Sequence, residues 1–260
     1  MTTALANLEL RPRLKAAGIH LVASAGVAAL TALLVFGLWF PYPYRELAGG
    51  RELYMLIMGV DVVCGPILTL VLFNIRKPRK ELVRDLSLVV LIQLAALAYG
   101  LHAVSQARPV FLVFEADRYR VVSVADIDPD KLKEAAPDFQ RLSLTGPKLI
   151  AAHVPKPNDP DFSATLDMAL QGVEVSMRPA YWRPYSEQLT TVLSKAQPIA
   201  ELKRKQPSEV SAIDQAVART GLSADQLGWL PVQSRKTSGW VAFVTRDKAT
   251  VVGFAPVEGF

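Results

Sequence analysis

The chain has 260 residues, a formal net charge of +5, 51% hydrophobic residues and a single cysteine. That length suits one ordinary soluble domain plus a short membrane unit, and one cysteine excludes an intramolecular disulfide. Residues 1–104 carry 10 Lys/Arg against 6 Asp/Glu and residues 105–260 carry 19 against 18, so the basic excess sits in short clusters beside apolar runs, which excludes the basic face of a nucleic-acid-binding domain.

The first apolar run, Ala16–Phe40, has 25 residues without Asp, Glu, Lys or Arg. The second, Leu53–Asn74, is interrupted by one acid, Asp61, and the third, Leu86–Val104, carries Gln93 and His102. Crossing the hydrocarbon core takes about 20 mainly apolar residues, so each run predicts a transmembrane helix. A cleaved signal peptide competes for the first run, because Ala23-Ser24-Ala25 fits the small-x-small pattern after Arg11, Arg13 and Lys15. A cut there would strand the apolar stretch that follows it, so three spans is the reading adopted. They define an N-terminal membrane domain, 1–104, with spans at about 16–40, 53–74 and 86–104, followed by a domain at 105–260.

Orientation follows from the basic residues. Arg11, Arg13 and Lys15 precede the first span, and Arg76, Lys77, Arg79, Lys80 and Arg84 lie between the second and third. The other side has Arg45, Arg51 and Arg108. The balance places the N-terminus in the cytoplasm of a multi-pass bacterial inner-membrane protein and the C-terminal domain in the periplasm. Trp39, Phe40, Tyr42, Tyr44 and Tyr54 cluster at the outer ends of the first two spans, where amphipathic rings favour the headgroup level.

Asp61 is the most informative residue inside the membrane. An acid near the midplane costs about 2.5–3.5 kcal/mol on insertion scales, so it faces other helices or a wet cavity. It lies nine residues inside its span, about 13 Å from Glu52 at the helical rise. Gln93 comes to a middle depth from the opposite direction, which predicts a hydrogen bond between the two. Gly65 and Pro66 follow Asp61 by one turn, and the proline leaves the Val62 carbonyl without its usual donor. Asp61, Gly65, Pro66 and Gln93 are therefore the candidate intramembrane contact. A proton relay would need more groups than one acid and the histidines His20 and His102 near opposite faces. An aspartyl protease needs two carboxylates sharing a proton. Interhelical hydrogen bonding, helped by small faces such as Ala25/Ala29 and Ala96/Gly100, and recognition of a partner helix both stay open.

Beyond the third span the pattern changes to alternation. Val110–Glu115 and Arg118–Val124 read as a hairpin turning at Ala116-Asp117. Asp128-Pro129 opens a short helix to Ala135, and Pro147–Val154 reads as another strand. Helices are predicted over Ser163–Leu170, Pro184–Ala196 and Glu209–Thr220, the last closed by Gly221. Ser223-x-x-Gln226 is a capping-box pattern, and the chain ends in a meander of Trp229–Ser234, Trp240–Thr245 and Ala249–Phe254. The domain is therefore α+β, and the whole is an integral membrane protein with a three-helix transmembrane unit and an α+β extracytoplasmic domain.

Little in that domain points to chemistry. Its one histidine is His153, and neither a phosphate-cradling loop nor a nucleophile elbow is present. Lys203-Arg204-Lys205 reads as a solvated helix end, with an anionic-lipid contact as the weaker alternative. The cluster Tyr181-Trp182-Arg183-Pro184-Tyr185 fits a binding patch or a core anchor equally. No cofactor, metal or catalytic residue is expected.

Certain strings are nonetheless distinctive. Pro41-Tyr42-Pro43-Tyr44, Gly49-Gly50, Val60-Asp61-Val62, Gly65-Pro66 and Leu68-Thr69-Leu70 resemble the TfpX/TfpZ-type type IV pilin accessory proteins. So do Lys80-Glu81-Leu82, Asp85-Leu86, Gln93-Leu94, Tyr99-Gly100 and Ala107-Arg108-Pro109-Val110 running into Val113-Phe114-Glu115 and Asp117-Arg118. The likeness is dense from about residue 16 to 127 and thinner afterwards, where Arg178-Pro179, Pro184-Tyr185 and Leu230-Pro231 fit. The resemblance implies a non-enzymatic inner-membrane accessory factor in type IV pilus assembly or surface display, affecting twitching motility. The major type IV pilin is the implied partner, with the lipid bilayer as surroundings. The alternative is a membrane enzyme modifying pilin or lipid, which would need acids or histidines clustered at the membrane edge.

Overall fold

The computed structural model describes residues 2–260, with side chains from Leu10 onward. The chain forms two compact units, one of residues 1–38 and 50–106, the other of residues 39–49 and 107–260.

The first unit contains helices α1 (Thr2–Leu34), α2 (Gly50–Leu72) and α3 (Arg79–Ala107). A π-helical turn, Val35–Trp39, continues α1. Among the described residues three helices are long and apolar enough to cross a membrane. Lipid offers backbone groups no hydrogen bonds, and a helix satisfies its own. Side chains such as Leu33, Val71 and Leu91 point outward, each about two-thirds exposed or more, as they would toward lipid. Polar contacts join α1 to α2: Thr31 Oγ1 lies 2.9 Å from the Tyr54 hydroxyl, which donates to the Ala28 carbonyl. Phe36 meets the Tyr54 ring edge-on at 5.0 Å. Against α3, Gly100 faces Ile57 so closely that a Cβ would lie 2.4 Å from its Cγ2. Of the small faces expected, Gly100 is therefore used, whereas Ala25, Ala29 and Ala96 are exposed. Ala28 and Thr31 take the contact assigned to Ala25 and Ala29.

The second unit is a mixed sheet with helices, so the expected α+β class is present. Strands β1 (Pro109–Glu115) and β2 (Arg118–Ser123) form the hairpin, turning through Ala116 at φ 58°. Strand β3 (Lys148–Ala152) runs parallel to β1. After helix α4 (Phe162–Leu170), short β4 (Trp182–Arg183) closes that edge. Helix α5 (Leu189–Lys195), β5 (Gln197–Pro198), α6 (Ile199–Lys205) and α7 (Val210–Thr220) lead to the final meander. Gly221 ends α7 in the left-handed conformation at φ 71°. The meander is β6 (Leu227–Gln233), β7 (Trp240–Thr245) and β8 (Val251–Ala255), and β6 joins the rest by parallel pairing with β2. The strand order is β4-β3-β1-β2-β6-β7-β8, with β5 paired to β6. The segment expected as a helix after Asp128 is 3-10 over Pro129–Glu134, with the Asp128 carboxylate accepting from the Asp130 amide at 3.0 Å.

The segment 39–49, which joins α1 to α2, is part of this second unit as a strap on the sheet. A single helical turn, Tyr44–Leu47, delivers Leu47 fully buried into a cluster with Leu112, Phe114, Tyr119 and Leu230. Ser234 Oγ donates to the Leu47 carbonyl at 2.6 Å, and Lys236 Nζ to the Glu46 carbonyl at 3.2 Å. Tyr44 meets Phe254 edge-on at 5.8 Å. The aromatic belt expected here is accordingly divided. Tyr42 is half-exposed, but Phe40 is fully buried and Tyr44 packs on the sheet.

Candidate functional site

Within the helical unit, all three helices line a cavity of about 470 Å³ with apolar walls and a few polar groups: His20 and Ser24 from α1, Asp61 and Thr69 from α2, and Gln93 from α3. That volume lies in the range of ordinary ligand pockets, about 300–1,000 Å³. Asp61, Gly65 and Thr69 recur every four residues, the spacing that keeps side chains on one helix face.

The four predicted residues come together as follows. Gln93 Nε2 donates to the Asp61 backbone carbonyl at 3.1 Å. The expected pairing thus uses the main chain of Asp61 rather than its carboxyl, and it does not use the Val62 carbonyl that Pro66 leaves short. Gly65 makes the crossing possible, since a Cβ there would lie 2.0 Å from Gln93 Nε2. Pro66 lies inside α2, which continues to Leu72. The Asp61 carboxyl is left facing the cavity with Oδ2 shielded and without a hydrogen-bond partner among the described residues. A buried carboxyl oxygen in that condition retains capacity for one strong hydrogen bond.

His20 and Thr69 are additions to the predicted set. His20 Nδ1 lies 2.5 Å from Thr69 Oγ1, tying α1 to α2 on the same cavity. The four-residue step from His20 to Ser24 on α1 was the available signal, and it is weak because single polar residues are common in spans.

In the sheet unit the aromatic cluster resolves as a core anchor. Trp182 is fully buried with its Nε1 donating to the Ser176 carbonyl at 2.8 Å, and Tyr185 donates to the Ala249 carbonyl at 2.7 Å. The Tyr119 and Tyr185 hydroxyls meet at 2.5 Å. Burial pushes both phenols above the ordinary tyrosine range, and Tyr119 is raised further by its neighbour. His153 is half-exposed beside Asp159 at 3.9 Å. In the basic run, Lys203 pairs with Asp214 at 2.5 Å and Arg204 with Glu201 one turn away.

The family model described as fimbrial assembly protein FimB matches residues 8–49, which take in most of α1 and the strap. The fimbrial assembly protein of serogroup I of Dichelobacter nodosus is 37% identical over 237 residues, covering 90% of this chain and 91% of that protein. Its serogroup E1 counterpart is 35% identical over the same shares. A shorter relative, from serogroups C1 and C2, is 47% identical over 121 residues, or 92% of its own length and 46% of this chain. No solved structure matches the chain. With two relatives 37% and 35% identical across nearly their whole lengths, the chain belongs to the fimbrial assembly protein family.

Proposed function

We propose that this protein is an inner-membrane accessory factor of the TfpX/TfpZ kind that helps a major type IV pilin assemble or reach the cell surface, and so affects twitching motility. The observation that carries this reading is the likeness to proteins named fimbrial assembly proteins, which extends through both structural units rather than one. In this reading the N-terminus and the turn between α2 and α3 are cytoplasmic, as the 8 basic residues on those segments against 3 on the other side support. The C-terminal domain is then periplasmic. The action is chaperone-like. The three-helix unit meets an apolar helix of the pilin at the cavity beside Asp61, and the sheet unit meets the pilin's head. A carboxyl oxygen without a partner among the described residues, in a cavity open between three helices, supports the first contact.

Deletion of the gene tests the biological half, with surface pilin and twitching as readouts. Loss or reduction of both is expected, and unchanged pili with unchanged motility would overturn the reading. Photo-crosslinking from Val62 and Leu94, which line the cavity, tests the contact. A pilin adduct is expected, and its absence from both positions in piliated cells would remove the helix contact.

A further inference from the structure

The turn at residues 141–148 runs into the first residue of β3 and has an unusual composition. From Gln140 to Leu149 it holds no acid, and its two cations, Arg141 and Lys148, are both exposed. Between them Leu144 stands 66% exposed, although its neighbour Leu142 packs against the core. A lone exposed leucine ordinarily means little. Here its attachment gives it meaning.

Two contacts hold the turn. Arg108 Nε donates to the Ser143 carbonyl at 3.4 Å. Gly146, at φ +82°, lies so close to Pro41 that a Cβ would be 2.9 Å from its Cγ. Arg108 directly follows Ala107, the last residue of α3, and Pro41 stands two residues past Trp39, where the first span ends. Both contacts are thus made to residues that follow a span by one or two positions in the chain. Beside Pro41, the Arg45 guanidinium lies 5.5 Å over the half-exposed Tyr42 ring, an amphipathic group suited to the headgroup level.

We propose that the 141–148 turn is a lipid anchor, in which Leu144 enters the headgroup layer of the protein's own membrane while Arg141 and Lys148 meet the phosphates of anionic lipids. Asp138 shares a hollow with Arg141 and Lys148 and leaves that cluster with a net positive charge; an apolar tip beside a cationic cluster has the chemistry of an interfacial segment. The anchor would fix the sheet unit's edge on the bilayer. It rests on the three spans lying in a membrane and is independent of any pilin.

The single native cysteine makes a direct test possible. In the full chain with Cys64→Ala, Leu144→Cys is labelled with a small fluorophore and reconstituted in vesicles of phosphatidylcholine and phosphatidylglycerol. Lys248→Cys is the reference, because it is exposed on the turn at the far end of β7 from Ser234, which bonds the strap. Nitroxide lipid is expected to quench the label at 144 several-fold more than at 248, with aqueous iodide giving the reverse order. Equal access of iodide to both positions, with no lipid quenching at 144, would overturn the proposal. A label at 144 shielded from both quenchers would place protein over it and overturn lipid as the occupant. Adding Arg141→Glu with Lys148→Glu should lower lipid quenching in the anionic vesicles, and unchanged quenching would refute the phosphate contacts. All these positions are exposed, so an unchanged unfolding midpoint confirms that each variant is folded.

Discussion

Replacing Leu47 with alanine tests whether the strap is part of the sheet unit's core. The side chain is fully buried and packed among Leu112, Phe114, Tyr119 and Leu230. Truncation removes three carbons, worth about 2.4 kcal/mol of transfer free energy at about 0.8 per methylene. The cavity left behind adds to this, and measured buried leucine truncations cost about 2.7–5 kcal/mol. Some collapse is available, because the strap is a single helical turn, so about 3 kcal/mol is expected. For a unit of this size that corresponds to roughly 6–12 °C in Tm. Thermal unfolding of the full chain in detergent reports it through the fluorescence of Trp182, Trp229 and Trp240, all buried in the sheet unit. Leu170→Ala, on a side chain 80% exposed, is the control and should stay within about 0.5 kcal/mol of the parent. If Leu47→Ala moved the midpoint no further than Leu170→Ala, the strap would be a loop lying on the surface and no part of the core.

Three more outcomes follow from the same coordinates. Gly65→Ala places a methyl where Gln93 Nε2 now lies and breaks the bond to the Asp61 carbonyl, a loss of about 0.6–2 kcal/mol. The loss should shrink sharply in a Gln93→Ala background, where the methyl has room, as a double-mutant cycle on unfolding would measure. Gly221→Ala meets no atom within 4 Å but keeps φ at +71°, so its cost is backbone alone, about 1–2 kcal/mol by denaturant midpoint. The Tyr119 hydroxyl has its folded pKa raised by burial and then by Tyr185. Above pH of about 10 the unfolded chain releases a proton that the fold retains, at about 1.4 kcal/mol per pH unit. Stability of the sheet unit is therefore intact below pH 10 and falls above it, and Tyr119→Phe should make that decline shallower in urea unfolding at stepped pH.

Local elements were legible where one short pattern determines one short piece of backbone. Gly221 predicts the end of α7 because few other residues accept φ +71°, and the capping box at Ser223 and Gln226 forms within four residues, with the Ser223 amide donating to Gln226 Oε1 at 3.0 Å. The final meander is read from its turns. The parallel pairings of β1 with β3 and of β2 with β6 were not legible, since alternation identifies a strand but not a neighbour that far away in the chain. Trp182 was ambiguous for another reason: aromatic residues between arginine and proline suit a surface or a core, and only the nearby Ser176 carbonyl, fully enclosed, decides for the core. At Asp61 the depth of Gln93 was readable but the acceptor was not. Helical spacing locates side chains, whereas the choice between a carboxyl and a carbonyl depends on how closely Gln93 passes Gly65.

The third span carries the polar residues Gln93 and His102 and is the least apolar of the three, with a mean hydropathy of 1.9 against 2.3, and the strap supplies a constraint on it that apolarity does not. The strap precedes α2, and the sheet unit follows α3, yet Leu47 lies inside the sheet unit's core and its carbonyl is bonded to Ser234. Both segments must then be on one side of any membrane, so an even number of crossings separates them. Either α2 and α3 both cross, or neither does. Helix α2 is long and apolar enough to cross, and a single crossing by α2 with α3 lying outside would pull the strap out of the core at the cost of a buried leucine and its hydrogen bonds. Of the two polar positions of α3, Gln93 is turned to the Asp61 carbonyl and so is withdrawn from lipid, whereas His102 is exposed one turn before the helix ends at Ala107.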